Sequence, residues 1–92
     1  MEFTSEKFGK CVIAEITQKQ LEAFHTDMKG IELEALSVWR GNSVRSAAKR
    51  GILMEPVMSE EDVDNAKPAL IVWLSDCIFK TIAEAMNLDP LS

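Results

Sequence analysis

Few residues of this chain have the type and spacing that chemistry requires. His25 is the only imidazole, and Cys11 and Cys77 are the only thiols. A general base needs a partner group within reach, and a zinc site needs three or four nitrogen, sulfur or carboxylate ligands. His25 stands beside Phe24 with no carboxylate motif of metal-ligand type around it, so it reads as a solvated or core-edge side chain. Cys11 and Cys77 each lie inside an apolar run with no CxxC spacing, the pattern of buried, reduced thiols. Glu60, Glu61, Asp62 and Asp64 lack the alternating oxygen ligands and the glycine of a calcium loop. With Ser59 just ahead of them they fit a helix N-terminus, where acids are favoured. The sequence has no glycine-rich phosphate loop and no GxSxG elbow. The expectation is a non-enzymatic protein with no metal and no cofactor, acting through its surfaces.

The elements that position those surfaces are set by length and pattern. Ninety-two residues form one domain, spanning 1–92, with a modest core. Hydrophobic residues make up 47% and charged ones 27%, the balance of a globular chain. A net charge of −5 opposes non-specific phosphate binding, so nucleic acid is not an expected partner. The longest apolar stretch carries Asp76, Lys80 and Glu84, and no apolar leader follows the amino terminus, so neither membrane spanning nor secretion is expected.

That stretch, Pro68 to Asn87, organises the chain. Pro68 suits a first helical position, with Lys67 as a poor N-cap. Ile71, Leu74, Ile78, Ile82 and Ala85 recur at helical spacing, while Asp76, Lys80, Glu84 and Asn87 cluster opposite. The apolar stripe is the expected core. Val72, Trp73 and Phe79 flank it, so either other elements cover this helix on most sides or a partner does.

Upstream, Phe3 and Phe8 bracket the turn-like Thr4-Ser5-Glu6-Lys7, which predicts a hairpin. Cys11 to Thr17 is rich in β-branched residues and reads as a strand, with Val12, Ala14 and Ile16 on one face and Cys11, Ile13 and Glu15 on the other. Thr17 and Gln20 form a capping box, which predicts a helix over 18–29 stopped by Gly30. Leu33, Leu36, Trp39, Val44, Ala47 and Ala48 continue the pattern; Gly41-Asn42 interrupts it, leaving one weakened helix or two pieces. Ile52 to Met58, with Pro56 inside, reads as an apolar extended loop. A short helix over 60–66 follows the Ser59 cap. The predicted fold is α+β: a short N-terminal β-hairpin, then three to four helices, the last (about 68–87) central to the core. Leu88 and Leu91 in the tail either fold onto the core or serve a partner.

Candidate partner-binding residues follow from surplus charge and surplus apolar surface. Residues 35–51 contain no acid, and Arg40, Arg45, Lys49 and Arg50 concentrate positive charge there. They fit either a solvated helix face near a C-terminus or a dock for an acidic segment. Trp39, Trp73, Phe79 and the methionines of residues 52–58 could supply an apolar contact surface.

The segments FGKCVIAEIT, SVWRGNSVRSAAKRGIL and KPALIVWLSDCIFKTIAEAMNLDPLS, in that order around an acidic cap, resemble small proteins encoded among the tail genes of tailed bacteriophages, of the tail assembly chaperone type. The resemblance implies a non-enzymatic α+β protein in the cytoplasm of the bacterial host that keeps the tape-measure protein soluble while the tail assembles. It carries over to Trp39, Arg40 and Arg45 in one segment and to Trp73 and Leu74 in the other, for folding or for contact. A phage-encoded inhibitor of a host or defence protein complex is the alternative, since it too would be small, acidic and without catalytic residues. The expected partner is a protein in both cases, and self-association into a homo-oligomer stays open.

Overall fold

The computed structural model describes residues 1–32 and 35–87, and it is α+β as the pattern predicts. Strand β1 (Glu2–Ser5) turns through residues 6–8 into β2 (Gly9–Ile13), an antiparallel hairpin in which Phe3 faces Cys11 in register. The Ser5 hydroxyl accepts the Lys7 and Phe8 amides in the turn, each at 3.2 Å. The strand is shorter than the run Cys11 to Thr17 suggests, because Ala14 and later residues leave the ladder to reach the next helix. A register shift at Val12 and Ile13 lets a third strand, β3 (Leu53–Glu55), pair antiparallel with β2. The sequence reading placed that strand in a loop. Pro56, with no N–H to give, follows it directly.

Helix α1 (Gln18–Met28) begins at the expected capping box: the Thr17 hydroxyl accepts the Gln20 amide at 3.2 Å, and the Gln20 side chain accepts the Thr17 amide at 3.0 Å. Helix α2 (Leu36–Lys49) runs unbroken through Gly41 and Asn42. Of the two readings left open, one helix or two, it is the single helix that forms, and Gly41 has a use in it. A Cβ built on it would come within 3.2 Å of the Arg45 guanidinium, so the missing side chain lets Arg45 lie along its own helix. Gly51, at φ +74, ends α2 in a Schellman turn: the Gly51 amide donates to Ala48 and the Ile52 amide to Ala47. Ile52 is thereby delivered fully buried beside β3.

Helix α3 (Glu60–Asn65) has its own capping box between Ser59 and Asp62. Helix α4 (Pro68–Met86) starts at Pro68 after an uncapping Lys67, as the sequence indicates. It buries Ile71, Leu74, Cys77, Ile78 and Ile82, so the predicted stripe is the core except at Ala85, which is exposed. The remaining core comes from Cys11 and Ile13 of β2, Phe24 of α1, Val44 and Ala47 of α2, Ile52, Leu53 and Val63. While α4 supplies the largest buried set, α2 touches more elements, packing on α1, α3, β3 and most extensively on α4. The tail, with Leu88 and Leu91, lies outside the described residues, as does Leu33.

Candidate functional site

The basic stretch on α2 is mostly spent inside the fold. Arg40 reaches from α2 to α4, where one nitrogen donates to the Val72 carbonyl at 3.2 Å, the Ser75 hydroxyl at 2.6 Å and the Asp76 carboxylate at 2.8 Å. Arg45 donates to Asn42 on its own helix and pairs with Asp64 on α3. Arg50 forms a fork with Asp27 of α1, at 2.8 and 2.9 Å, and Ser46 donates to the same carboxylate at 2.7 Å. These donors hold Asp27 well below the usual carboxylate range, at about 2, with Arg50 the largest cause and Ser46 the next. Three of the four cations are thus ties between α2 and its neighbours. Lys49 alone is exposed and makes no ion pair among the described residues.

The aromatic candidates are half-buried and stacked. Trp39 lies over Phe79, ring centres 4.5 Å apart and nearly parallel, and Phe79 meets Phe24 edge-on at 5.8 Å. Trp73 stacks on Phe8 at 5.6 Å, which fastens the hairpin turn to α4. Trp73 and Phe79 both pack against the buried core. Their flanking position on α4 is therefore filled from within the chain, by the hairpin on one side and by α1 and α2 on the other.

An apolar surface that none of the described residues covers lies elsewhere. A trough of about 360 Å³ runs between α2, α3 and the start of α4. Val38, Gly41, Val63, Ala66, Pro68, Ile71 and Val72 supply its apolar lining, with Arg40 and Arg45 at its margins. Val38 is 52% and Val72 41% exposed, and Leu36, next to the trough on α2, is 50% exposed. The two ion pairs Arg40–Asp76 and Arg45–Asp64 span from α2 to the facing walls. They fix its width while leaving the apolar floor open. On α2 the lining runs from Ser37 to Arg45, about 12 Å or two helical turns.

No family model, characterised protein or solved structure matches this chain. The site has to be read from its own residues.

Of the residues singled out in the sequence, Arg40 and Arg45 line this trough; Trp39, Trp73 and Phe79 do not, and Lys49 lies beyond its end. Sequence reasoning missed Val38 and Pro68 as exposed lining, and Val63 as the buried residue between them. Val72 carried a signal, because it lies off the core stripe of α4. Val38 carried a weaker one, one position away from Trp39 and off the Leu36–Trp39 repeat. The apolar segment 52–58 divides: Ile52 and Leu53 are core, whereas Met54 and Val57 are exposed at 55% and 86%. His25 is exposed on α1, and no group of three metal-ligating side chains occurs among the described residues. No helix among them is long and apolar enough to cross a membrane.

Proposed function

We propose that this protein binds an apolar helical segment of another protein in the trough between α2, α3 and α4, as a tail assembly chaperone would bind its tape-measure client. The observation that carries the reading is the open apolar floor of that trough, with Val38 and Val72 exposed at its lip. An amphipathic helix presents side chains at three- and four-residue spacing, and two turns of groove accept two or three of them. A volume of about 360 Å³ is at the low end for a small-molecule pocket, and its open shape suits side chains entering from a partner. The resemblance of SVWRGNSVRSAAKRGIL and KPALIVWLSDCIFKTIAEAMNLDPLS to phage tail-gene proteins supports the class of client, since these two segments also build α2 and α4.

Co-expression with a tape-measure fragment tests this. The fragment should stay soluble with the wild-type protein and precipitate with Val38→Glu or Val72→Glu, whose side chains are exposed enough for both variants to fold. Trp73→Glu is a poor probe, because it would break the stack on Phe8. Precipitation with wild type, or solubility of the fragment alone, overturns the chaperone reading. Capture of a host enzyme in place of the fragment favours the inhibitor reading.

A further inference from the structure

The three arginines of the chain use their guanidinium groups differently. Arg50 clasps Asp27 with Nε and Nη2, at 2.9 and 2.8 Å, so the side edge of its fork is closed by a carboxylate of the same chain. Arg45 donates through both terminal nitrogens, Nη1 to Asn42 and Nη2 to Asp64. Arg40 concentrates its bonds on one nitrogen: Nη1 serves the Val72 carbonyl, the Ser75 hydroxyl and the Asp76 carboxylate. Its Nε and Nη2, the same pair that Arg50 gives to Asp27, have no acceptor among the described residues. Neither is shut away, since no buried side-chain nitrogen or oxygen among those residues lacks a partner.

That edge belongs to the margin of the trough, because Arg40 lines it between Val38 and Gly41. Val72, whose carbonyl Nη1 holds, is also the exposed lip of the facing wall. Elsewhere on the rim the charge available to a partner is negative: Asp64 and Asp76 keep side chains 60% and 62% exposed. Arg45 has Nε alone to spare, which cannot make a two-point contact. A carboxylate entering the trough is therefore accepted at one place and repelled beside it.

We propose that the trough takes an amphipathic helix carrying an aspartate or glutamate, and that this carboxylate docks two-pronged on Nε and Nη2 of Arg40. The inference rests on the trough reading and adds the chemistry its occupant must carry. Arg40 and Val72 are in direct contact, so the apolar side chain seated on Val72 and the carboxylate share one face of the partner helix, three or four residues apart. The partner displaces water as it covers the groove, which strengthens the ionic contact as the site closes. One side chain then serves two ends: Nη1 holds α2 to α4, and the opposite edge sets the register of the partner.

The test uses the purified full chain and stapled synthetic helices of about 14 residues, near the shortest length that holds a helix in water. Each carries leucines at three- and four-residue spacing and a single Glu, moved through the positions that flank the stripe; a matched series carries Gln. Fluorescence anisotropy gives Kd, and NMR follows the Nε–H resonances of the three arginines. One Glu placement should bind about tenfold tighter than its Gln counterpart, by an amount that shrinks with added salt. The Arg40 Nε–H signal should move with that Glu peptide and not with the Gln one. Arg40→Lys can still reach Asp76 as a point charge but has no planar fork, so it should keep the Gln-peptide affinity and lose most of the Glu gain. Glu and Gln peptides that bind alike at every placement, or a gain that survives Arg40→Lys, refute the docking point, while loss of binding in Val38→Glu keeps the trough reading. Should Arg40→Lys unfold, the wild-type resonance decides: an unmoved Arg40 signal in the Glu complex refutes it. If no peptide binds, or binding ignores Val38→Glu, the trough reading itself fails and this inference with it.

Discussion

Leu74→Ala and Val72→Ala lie two residues apart on α4 and separate the two faces of that helix. Leu74 is fully buried at the centre of the core stripe, while Val72 is 41% exposed at the lip of the trough. Removing three carbons from Leu74 forfeits ~2.4 kcal/mol of transfer free energy at about 0.8 kcal/mol per methylene. The cavity left between α2, α4 and the sheet adds to that, for a total of ~3–5 kcal/mol. A domain of this size has on the order of 5–14 kcal/mol of stability, so the change removes a large share of it. Val72→Ala removes two carbons that already face water on one side and gains helix propensity, so it should cost less than about 1 kcal/mol. Urea denaturation followed by tryptophan fluorescence measures both, with slopes compared to confirm that the unfolded states are alike. Equal losses in the two variants, or a Leu74→Ala loss below that of Val72→Ala, would refute the assignment of core and surface faces on which the trough depends.

Charge reversal should divide the basic stretch: Arg45→Glu places a carboxylate against Asp64 and lowers the melting temperature, whereas Lys49→Glu, on an exposed side chain, leaves it unchanged. Asp27 is depressed from 3.8 to about 2 in the fold, so its contribution is present above pH ~4 and lost as pH falls toward 2. With a quarter of the side chain facing solvent, screening leaves roughly 1 kcal/mol, and Asp27→Asn should flatten the acid limb of a stability–pH curve by that amount. Ser59→Ala removes the cap of α3, the wall that carries Val63 and Asp64; it should cost ~1 kcal/mol by denaturation and weaken client binding at the trough together.

The local signals in the sequence determined a good deal. Thr17 with Gln20, Ser59 with its acids, and Pro68 mark helix starts because each satisfies or removes an amide within three residues of itself, chemistry that needs no tertiary partner. The spacing of Ile71, Leu74, Ile78 and Ile82 named the core face of α4 for the same reason: a helix fixes which residues share a side. What lay beyond one element was decided only by packing. Gly41 leaves one helix or two equally open until Arg45 is seen lying over it, and Leu53 to Glu55 reads as an extended loop until β2 offers its open edge. Arg40, Arg45 and Arg50 look like a free basic patch because Asp76, Asp64 and Asp27 are distant in the chain, and ion pairing depends on distance in space. Trp73 looks like surplus apolar surface until Phe8 arrives from the opposite end. The trough itself belongs to no segment, since its walls come from three helices and its openness is a property of how they are spaced.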